Sequence, residues 1–234
     1  MVRVKICGNT DIEQVRLCVE SGADCVGFVV EYPVNVPWNL SREQARGLVS
    51  LVPPMVTRAV VTGGGPEKVI ALARLLLPHF VQLHTDNTFS ETAAIARELA
   101  SLGIGLIRAL RIDVATQKAC GEISDPVKAA LTLQDTGVAG VLVDARTENM
   151  PAGTGVSIDW EMALAIRKAL LVPLVLAGGL TPKNVRSAVE QICPYAVDVI
   201  SGVEASRTVK SPELVREFIR QAKGTAAPKV PTTA

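Results

Sequence analysis

The sequence has little of what marks several large classes of protein. Aromatic residues make up 3% of its 234 residues, and 24 Lys and Arg nearly cancel 23 Asp and Glu. This balance argues against a broad face for nucleic acid or another polyanion, although a local phosphate pocket stays possible. The five cysteines include no CxxC pair, and no three or four ligands stand at zinc spacing. We therefore expect neither a disulfide framework nor a metal site.

Long apolar segments are also missing. No apolar stretch follows the charged residues near Met1, so a secretory signal is not expected. The longest nearly uninterrupted apolar run, 169–180, is too short to cross a bilayer and contains Pro173. We expect a soluble, cytoplasmic protein that does not associate with membranes.

What the sequence does have is aliphatic residues, with 48% of the chain hydrophobic. Short runs rich in β-branched residues alternate with segments of helical period, at a repeat of about 28 residues, the size of a βα unit. The predicted strands are 2–7, 25–30, 56–61, 80–84, 104–110, 138–144, 173–177 and 196–200. The predicted helices are 11–21, 41–51, 66–77, 90–102, 125–134, 159–170, 181–192 and 211–223. Their predicted starts include a capping box of Ser41 and Gln44, Ser90 as N-cap, and Thr181 followed by Pro182 at the first helical position.

Eight alternating units predict an α/β protein with a (β/α)8 TIM barrel as a single domain over residues 1–223. Residues 224–234 lack periodicity and are predicted to form a flexible C-terminal tail. The alternative is an open doubly wound sheet, which often has a glycine-rich phosphate loop after its first strand. Here the first strand leads into Cys7-Gly8-Asn9-Thr10 instead. Either a monomer or a homodimer is compatible with a barrel of this size.

In such a barrel the chemistry lies where strands end. Lys5 and Cys7 share the polar face of the first strand, and a nearby Lys favours the thiolate of a Cys that acts as base or nucleophile. A small buried, inert Cys is the competing interpretation. Asp144 closes an apolar strand and needs a partner, water or substrate, or else caps the next turn. Because the first and last strands are neighbours, we expect Asp198 to pair with Lys5.

Two glycine motifs follow the seventh and eighth predicted strands, where these barrels usually bind phosphate through backbone N–H groups. Either motif alone is weak, but Gly178-Gly179 together with Ser201-Gly202 indicates a phosphorylated small-molecule substrate. Gln82, His84 and Arg111 complete the pocket candidates, because each stands at or near a strand end. His84 is equally compatible with a hydrogen-bonded barrel residue.

Seven motifs, spread from Val2 to about Lys223, resemble phosphoribosylanthranilate isomerase in order and spacing. They are Lys5-Ile6-Cys7-Gly8, 21–24 with Gly27-Phe28, 81–84, 142–144, 153–155 with Asp159-Trp160, 178–180 with Asn184-Val185, and 197–198 with 201–204.

The resemblance implies a cofactor-free Amadori rearrangement in tryptophan biosynthesis, from N-(5-phosphoribosyl)anthranilate to the 1-deoxyribulose 5-phosphate derivative. It further implies that Asp144 is the general acid that opens the sugar ring and that Cys7 is the general base at sugar carbon 2. The phosphate would lie on Gly178, Gly179, Ser201 and Gly202.

One segment departs from the family pattern. The family usually has an Arg for the anthranilate carboxylate after the second strand, whereas residues 31–41 contain no Arg or Lys. Arg42, Arg111 and Arg146 are the candidates to supply that charge. The alternatives are a divergent isomerase acting on another phosphoribosyl amine or sugar phosphate, and a non-catalytic phosphate-binding barrel.

Overall fold

Strands and helices alternate along the whole described chain. A computed structural model describes residues 1–146 and 158–224, and of Arg146 only the backbone. The barrel strands in these ranges are β1 (Arg3–Ile6), β2 (Cys25–Val30), β3 (Thr57–Thr62), β4 (Phe80–Leu83), β5 (Gly105–Asp113), β6 (Gly140–Arg146), β7 (Leu174–Leu176) and β8 (Ala196–Val199). The helices are α1 (Ile12–Glu20), α2 (Arg42–Ser50), α3 (Pro66–Leu76), α4 (Phe89–Ser101), α5 (Pro126–Asp135), α6 (Trp160–Ala169), α7 (Val185–Ile192) and α8 (Pro212–Lys223).

The sheet closes on itself. Strand β1 pairs in parallel with β2, with Lys5 opposite Cys25, and also with β8, with Lys5 opposite Asp198. The other neighbours, from β2 to β8, are parallel as well. In an open sheet each of the two edge strands would lack a partner on one side, whereas here every barrel strand pairs on both sides. The predicted TIM barrel is therefore confirmed, and the doubly wound alternative is wrong.

Alternation along the strands separates the core from the barrel interior. Val4 and Ile6 of β1 are fully buried in the large cluster between sheet and helices. Lys5 and Cys7 face the opposite way, as period-2 geometry requires. A second, small apolar cluster fills the interior beneath the barrel mouth; it consists of Ala109, Leu142, Val175, Ala177 and Ala196.

Most helix starts agree with the predicted ones to within one residue, but α4 and α7 have a different capping residue from the predicted one. Helix α4 begins at Phe89, because the Thr88 hydroxyl accepts a hydrogen bond from the Glu91 N–H and the Glu91 side chain accepts one from the Thr88 N–H. The predicted N-cap at Ser90 is therefore wrong. Helix α7 begins at Val185 rather than near Thr181, because the Thr181 N–H donates to Asn184 Oδ1 at 2.7 Å in a turn that precedes the helix. The predicted capping box of Ser41 and Gln44 is confirmed.

Two strands extend further than predicted, and this changes the surroundings of the candidate residues Arg111 and Asp144. Strand β5 continues to Asp113 and β6 to Arg146, so Arg111 and Asp144 lie within ladders and in register with each other. Additional short elements stand at the mouth, namely a strand at Asn39–Leu40 beside β2, a 3-10 turn at Ser201–Val203, and a hairpin of Glu204–Ser206 with Val209–Lys210.

Parts of the prediction fall outside the described ranges. These are the motif at 153–155 and, apart from Gly224, the predicted tail 224–234. Within the described ranges, every helix is too short or too polar to cross a bilayer.

Candidate active site

A pocket opens at the carboxyl ends of the barrel strands. It brings together the predicted residues Cys7, Gln82, His84, Asp144, Gly178, Gly179, Asp198, Ser201 and Gly202. The remaining lining residues are Val29, Tyr32, Val36, Trp38, Val61, Ala177, Leu180, Val199 and Ile200. Polar groups from five strands or strand ends thus surround one apolar cavity, the usual form of a small-molecule site.

Cys7 lies at the end of β1 and is fully buried. Its N–H donates to the Val199 carbonyl at 2.9 Å, which extends the β1–β8 ladder by one residue. A Cβ on Gly27 of β2 would lie 2.6 Å from Cys7 Sγ and 3.0 Å from Lys5 Cε. The missing side chain at Gly27 therefore leaves the space in which the thiol and the Lys5 stem lie.

Lys5 and Asp198 form a buried ion pair directly beside Cys7. Lys5 Nζ lies 2.6 Å from Asp198 Oδ2, so the predicted pairing is confirmed. Burial lowers the pKa of Lys5, but the attraction of Asp198, aided by Cys7 and Cys25, outweighs it and raises this pKa. Asp198 Oδ1 is buried without a hydrogen-bond partner in the described chain and lies at the pocket, where a substrate hydroxyl could donate to it.

The net effect on Cys7 differs from the simple expectation that a neighbouring Lys yields a thiolate. Burial raises the pKa of the Cys7 thiol, and the Lys5 ammonium opposes this without overcoming it. The apolar surroundings thus favour the protonated thiol over the thiolate in the free protein. The same ammonium stabilises the thiolate when the proton leaves.

Asp144 is held on the opposite side of the pocket by a histidine. His84 Nε2 lies 3.1 Å from Asp144 Oδ2, and both side chains are buried. The His84 carbonyl accepts a hydrogen bond from the Tyr32 hydroxyl at 2.8 Å, and the two rings meet edge to face. The carboxyl group is therefore positioned by packing and hydrogen bonding, and its competing assignment as a simple turn cap does not fit its place within β6.

The glycine loops after β7 and β8 lie close to each other, and the loop after β7 also lies close to Ala145 and the Asp144 side chain of β6. Gly178 has φ +82°, and a Cβ there would lie 2.7 Å from the Ala145 nitrogen and 2.9 Å from Asp144 Oδ1. A Cβ on Gly202 would lie only 1.9 Å from the Leu180 carbonyl oxygen. These backbones can approach each other only because side chains are absent, which is the construction expected of a loop that binds phosphate through its backbone.

Sequence reasoning missed the apolar wall of the pocket. It consists of Val29, Tyr32, Trp38 and Val61, packed with Cys7. Trp38 is 4% exposed, and its indole N–H donates to Glu204 Oε1 at 2.7 Å. Lys210 Nζ donates to the same oxygen at 2.9 Å and thereby balances its charge. In the sequence Trp38 is only the largest apolar residue of a loop, because its partners stand about 170 residues away.

The turn after Cys7 also has a support that the sequence did not reveal. The Asn9 side-chain amide donates to the Ile6 and Gly27 carbonyls, each at 3.0 Å, and its oxygen accepts from the Cys18 thiol at 3.3 Å. Asn9 is fully buried. Its amide therefore holds the end of β1 against β2. In the sequence, only the Gly8-Asn9 pair indicates a turn at this position.

The three arginines proposed as partners of the anthranilate carboxylate lie in different surroundings. Arg42 faces solvent and forms two hydrogen bonds with the Glu31 carboxylate, at 2.6 and 2.9 Å. Arg111 is buried on the inner face of β5 and contacts Asp86. The side chain of Arg146 lies outside the described part of the structure. In that part, no group of three or more His, Cys, Asp or Glu forms a metal-binding cluster.

The comparison with known proteins gives a family. The model of the N-(5'-phosphoribosyl)anthranilate isomerase family matches residues 4–221. The chain belongs to this family. A Methanopyrus kandleri N-(5'-phosphoribosyl)anthranilate isomerase is 39% identical over 225 residues, covering 95% of this chain and 99% of the relative. The Geobacter metallireducens enzyme of the same name is 38% identical, with 95% and 100% covered.

Solved structures of phosphoribosyl anthranilate isomerases have the same fold. The Thermotoga maritima structure superimposes with a TM-score of 0.80 at 36% identity, covering 96% of this chain and 100% of that one. Another structure, in complex with reduced 1-(o-carboxyphenylamino)-1-deoxyribulose 5-phosphate, gives 0.77 at 36% identity, with the same coverage. Family membership gives the reaction class, an isomerase of the aldose–ketose type, which is an intramolecular oxidoreductase.

Proposed function

We propose that this chain isomerises N-(5'-phosphoribosyl)anthranilate in tryptophan biosynthesis, with Asp144 as general acid and Cys7 as general base. The observation that carries the proposal is the pocket itself, which places a buried carboxyl and a buried thiol on different strands around one cavity. Glycine loops suited to phosphate lie on one side and an apolar wall suited to an aromatic ring on the other. A single molecule that carries a phosphate, a sugar and a benzene ring fits all of these features.

The chemistry divides between the two sides of the pocket. Asp144, steadied by His84, donates a proton to the furanose ring oxygen as the bond from carbon 1 to that oxygen breaks. The nitrogen lone pair forms the Schiff base. Cys7 then removes the proton from carbon 2, and the electron pair moves toward nitrogen to give an enolamine, which tautomerises to the ketone. An acid and a base on separate strands can act in turn without neutralising each other.

Lys5 and Asp198 support the base. The thiolate that takes the carbon proton is favoured by the Lys5 ammonium, which the ion pair at 2.6 Å holds in place. Asp198 Oδ1 and Gln82 Oε1, both buried without partners in the described residues, are positioned to accept from sugar hydroxyls. The phosphate is bound by the loops of Gly178, Gly179, Ser201 and Gly202. We place the reaction in the cytoplasm, with the chain acting as a monomer or homodimer.

The test is an assay of the purified chain with freshly prepared phosphoribosylanthranilate, followed by the loss of substrate fluorescence. Turnover is expected, and inorganic phosphate should protect against thermal unfolding through the glycine loops. Absence of turnover would remove the proposal. Phosphate protection without turnover would instead favour a divergent isomerase or a binding-only barrel.

A further inference from the structure

The substrate of the proposed function, on which this inference rests, carries two anionic groups. The phosphate has a site in the glycine loops after β7 and β8. The second group is the carboxylate of the benzene ring, which would lie with the ring against the apolar wall. A carboxylate removed from water requires a cation or several hydrogen-bond donors. The protein therefore needs a positive group near the Tyr32 side of the pocket.

Most cations around the mouth are committed to fixed partners. Lys5 is paired with Asp198 beneath the pocket, and Lys210 with Glu204. Lys68 donates to two backbone carbonyls at the ends of β2 and β3, those of Glu31 and Gly63, and so ties the two strand ends together. Arg42 faces solvent, and its Nε and Nη2 each donate a hydrogen bond to the Glu31 carboxylate. Freeing any of these would break a structural contact.

Arg111 differs in where it lies and in what holds it. It stands opposite Asp144 in the β5–β6 register and therefore projects from the same, inner face of the barrel. Its residue exposure is 7%. Burial raises the pKa of the Tyr32 phenol, and the charge of Arg111 is the strongest opposing influence. Arg111 also contacts Asp86, two residues beyond His84, whose carbonyl accepts a hydrogen bond from the Tyr32 hydroxyl. The guanidinium therefore lies next to the Tyr32 side of the pocket, although Arg111 is not one of the residues that line the cavity.

The partner of Arg111 is replaceable. The guanidinium contacts Asp86, in the loop between β4 and α4, and the Asp86 side chain is 54% exposed. Arg111 Nε is buried and has no hydrogen-bond partner among the described residues. An exposed carboxylate on a loop can turn to water at little cost, whereas the buried guanidinium needs an anion. One carboxylate can thus be exchanged for another while Arg111 stays paired.

We propose that Arg111 binds the carboxylate of the substrate and that Asp86 occupies the guanidinium until the substrate displaces it. The planar fork of Arg suits a carboxylate in a bidentate arrangement, and its free Nε supplies a donor that Asp86 leaves unused. Arg111 is thus a specificity residue. It selects phosphoribosyl amines whose aromatic ring carries a carboxylate.

The test compares two substrates on matched variants. One substrate is phosphoribosylanthranilate, and the other is its counterpart made from aniline, which lacks only the carboxylate. Arg111→Gln is expected to raise KM for the first compound by about 10- to 100-fold, the scale of a lost charge-assisted pair, and to change KM for the second by less than about threefold. The control Arg42→Gln, which removes an exposed guanidinium already bound to Glu31, should alter neither.

Two results would overturn the assignment. One is an equal rise in KM for both compounds with Arg111→Gln. The other is loss of the preference for the carboxylate in Lys68→Met or Arg42→Gln but not in Arg111→Gln. Failure of the wild-type chain to turn over phosphoribosylanthranilate would count against the proposed function, whereas wild-type turnover without an Arg111 effect would count against this inference alone.

A second variant tests the exchange from the side of Asp86. Asp86→Asn removes the competing charge but keeps an amide oxygen that can accept a hydrogen bond from the Arg111 guanidinium, and thermal unfolding of both variants checks that they fold. Asp86→Asn should lower KM for phosphoribosylanthranilate by a few-fold, about the size of a weak surface ion pair, and leave KM for the aniline compound unchanged. An unchanged or higher KM for the carboxylate-bearing compound would contradict the exchange of Asp86 for substrate.

Discussion

Among single residues, the two proposed proton-transfer groups act through different surroundings. Cys7 lies in an apolar site beside the Lys5 ammonium, whereas Asp144 is hydrogen-bonded to His84 at 3.1 Å. We expect Cys7→Ser and Asp144→Asn each to lower kcat by roughly 10² or more, because each removes a group that moves a proton in the reaction. Steady-state rates by substrate fluorescence give the measurement.

The matched control for these variants is Cys193→Ser. Cys193 is the C-cap residue of α7 through its backbone N–H, and it does not line the pocket, so loss of its thiol should leave kcat unchanged. If Cys7→Ser retained the wild-type rate, Cys7 would be the inert buried residue of the competing interpretation.

Gly178 offers a second prediction at this scale. At Gly178, an alanine methyl would combine a left-handed backbone with two atoms closer than 3 Å. A methyl on Gly22, at φ +88°, would have no heavy atom within 4 Å beyond its own residue and its chain neighbours. We expect Gly22→Ala to cost about 1 kcal/mol of unfolding free energy for the backbone alone. Gly178→Ala should cost about 3 kcal/mol, because overpacking adds to the backbone cost. Urea denaturation measures both, and equal losses would show that the contact with Ala145 is unimportant.

Among elements, most helices begin with a side-chain N-cap. The cap of α4 allows a direct test of which residue stabilises the helix start. We expect Thr88→Ala to lower the unfolding free energy by about 1 kcal/mol, because it removes the side-chain cap of the capping box at α4. Ser90→Ala is the control, and it should change stability by less than about 0.5 kcal/mol as a substitution within the first turn. If Ser90→Ala lowered the unfolding free energy more than Thr88→Ala, Ser90 would be the capping residue after all.

The same example shows what the sequence can and cannot specify about elements. The Thr88 and Glu91 spacing is readable as a capping box, but Ser90 is an equally good capping type, and propensity alone does not choose between them. The number and order of the eight units were predicted correctly because hydrophobic periodicity is a local signal. The reach of β5 and β6 depends on pairing between them, which no local pattern contains.

The site divides in a similar way. Lys5 and Cys7 could be placed on one face of β1 from alternation, and the pairing of Lys5 with Asp198 from barrel closure. Tyr32 and Trp38 could not be placed on the pocket wall, because their positions depend on contacts with His84 and Glu204 far along the chain. A long-range contact can be predicted where the strand order of the barrel brings two residues together, as for Lys5 and Asp198, but the loop that carries Tyr32 and Trp38 has no such order.

For the whole molecule, the pair of Lys5 and Asp198 joins the first strand to the last and so lies where the barrel closes. Removing one partner leaves a buried charge without compensation. We expect Lys5→Met to lower the unfolding free energy by about 3 to 5 kcal/mol. The double variant Lys5→Met, Asp198→Leu should recover most of this loss, because no charge is then left unpaired. Denaturant titrations of the two variants and the wild type give the comparison, and an equally unstable double variant would contradict it.

The double variant also separates stability from catalysis. Burial raises the pKa of Cys7, Lys5 lowers it, and Asp198 raises it by less than Lys5 lowers it. A general base works only when deprotonated, so kcat/KM of the wild type should rise with pH as the thiol loses its proton. In the double variant, Lys5 no longer lowers the Cys7 pKa, so this pKa rises further. The rise of kcat/KM with pH should therefore begin at a higher pH than in the wild type. The measurement is kcat/KM against pH for folded double variant and wild type. A profile that stays in place would mean that the ion pair serves closure of the barrel and has no part in setting the reactivity of Cys7.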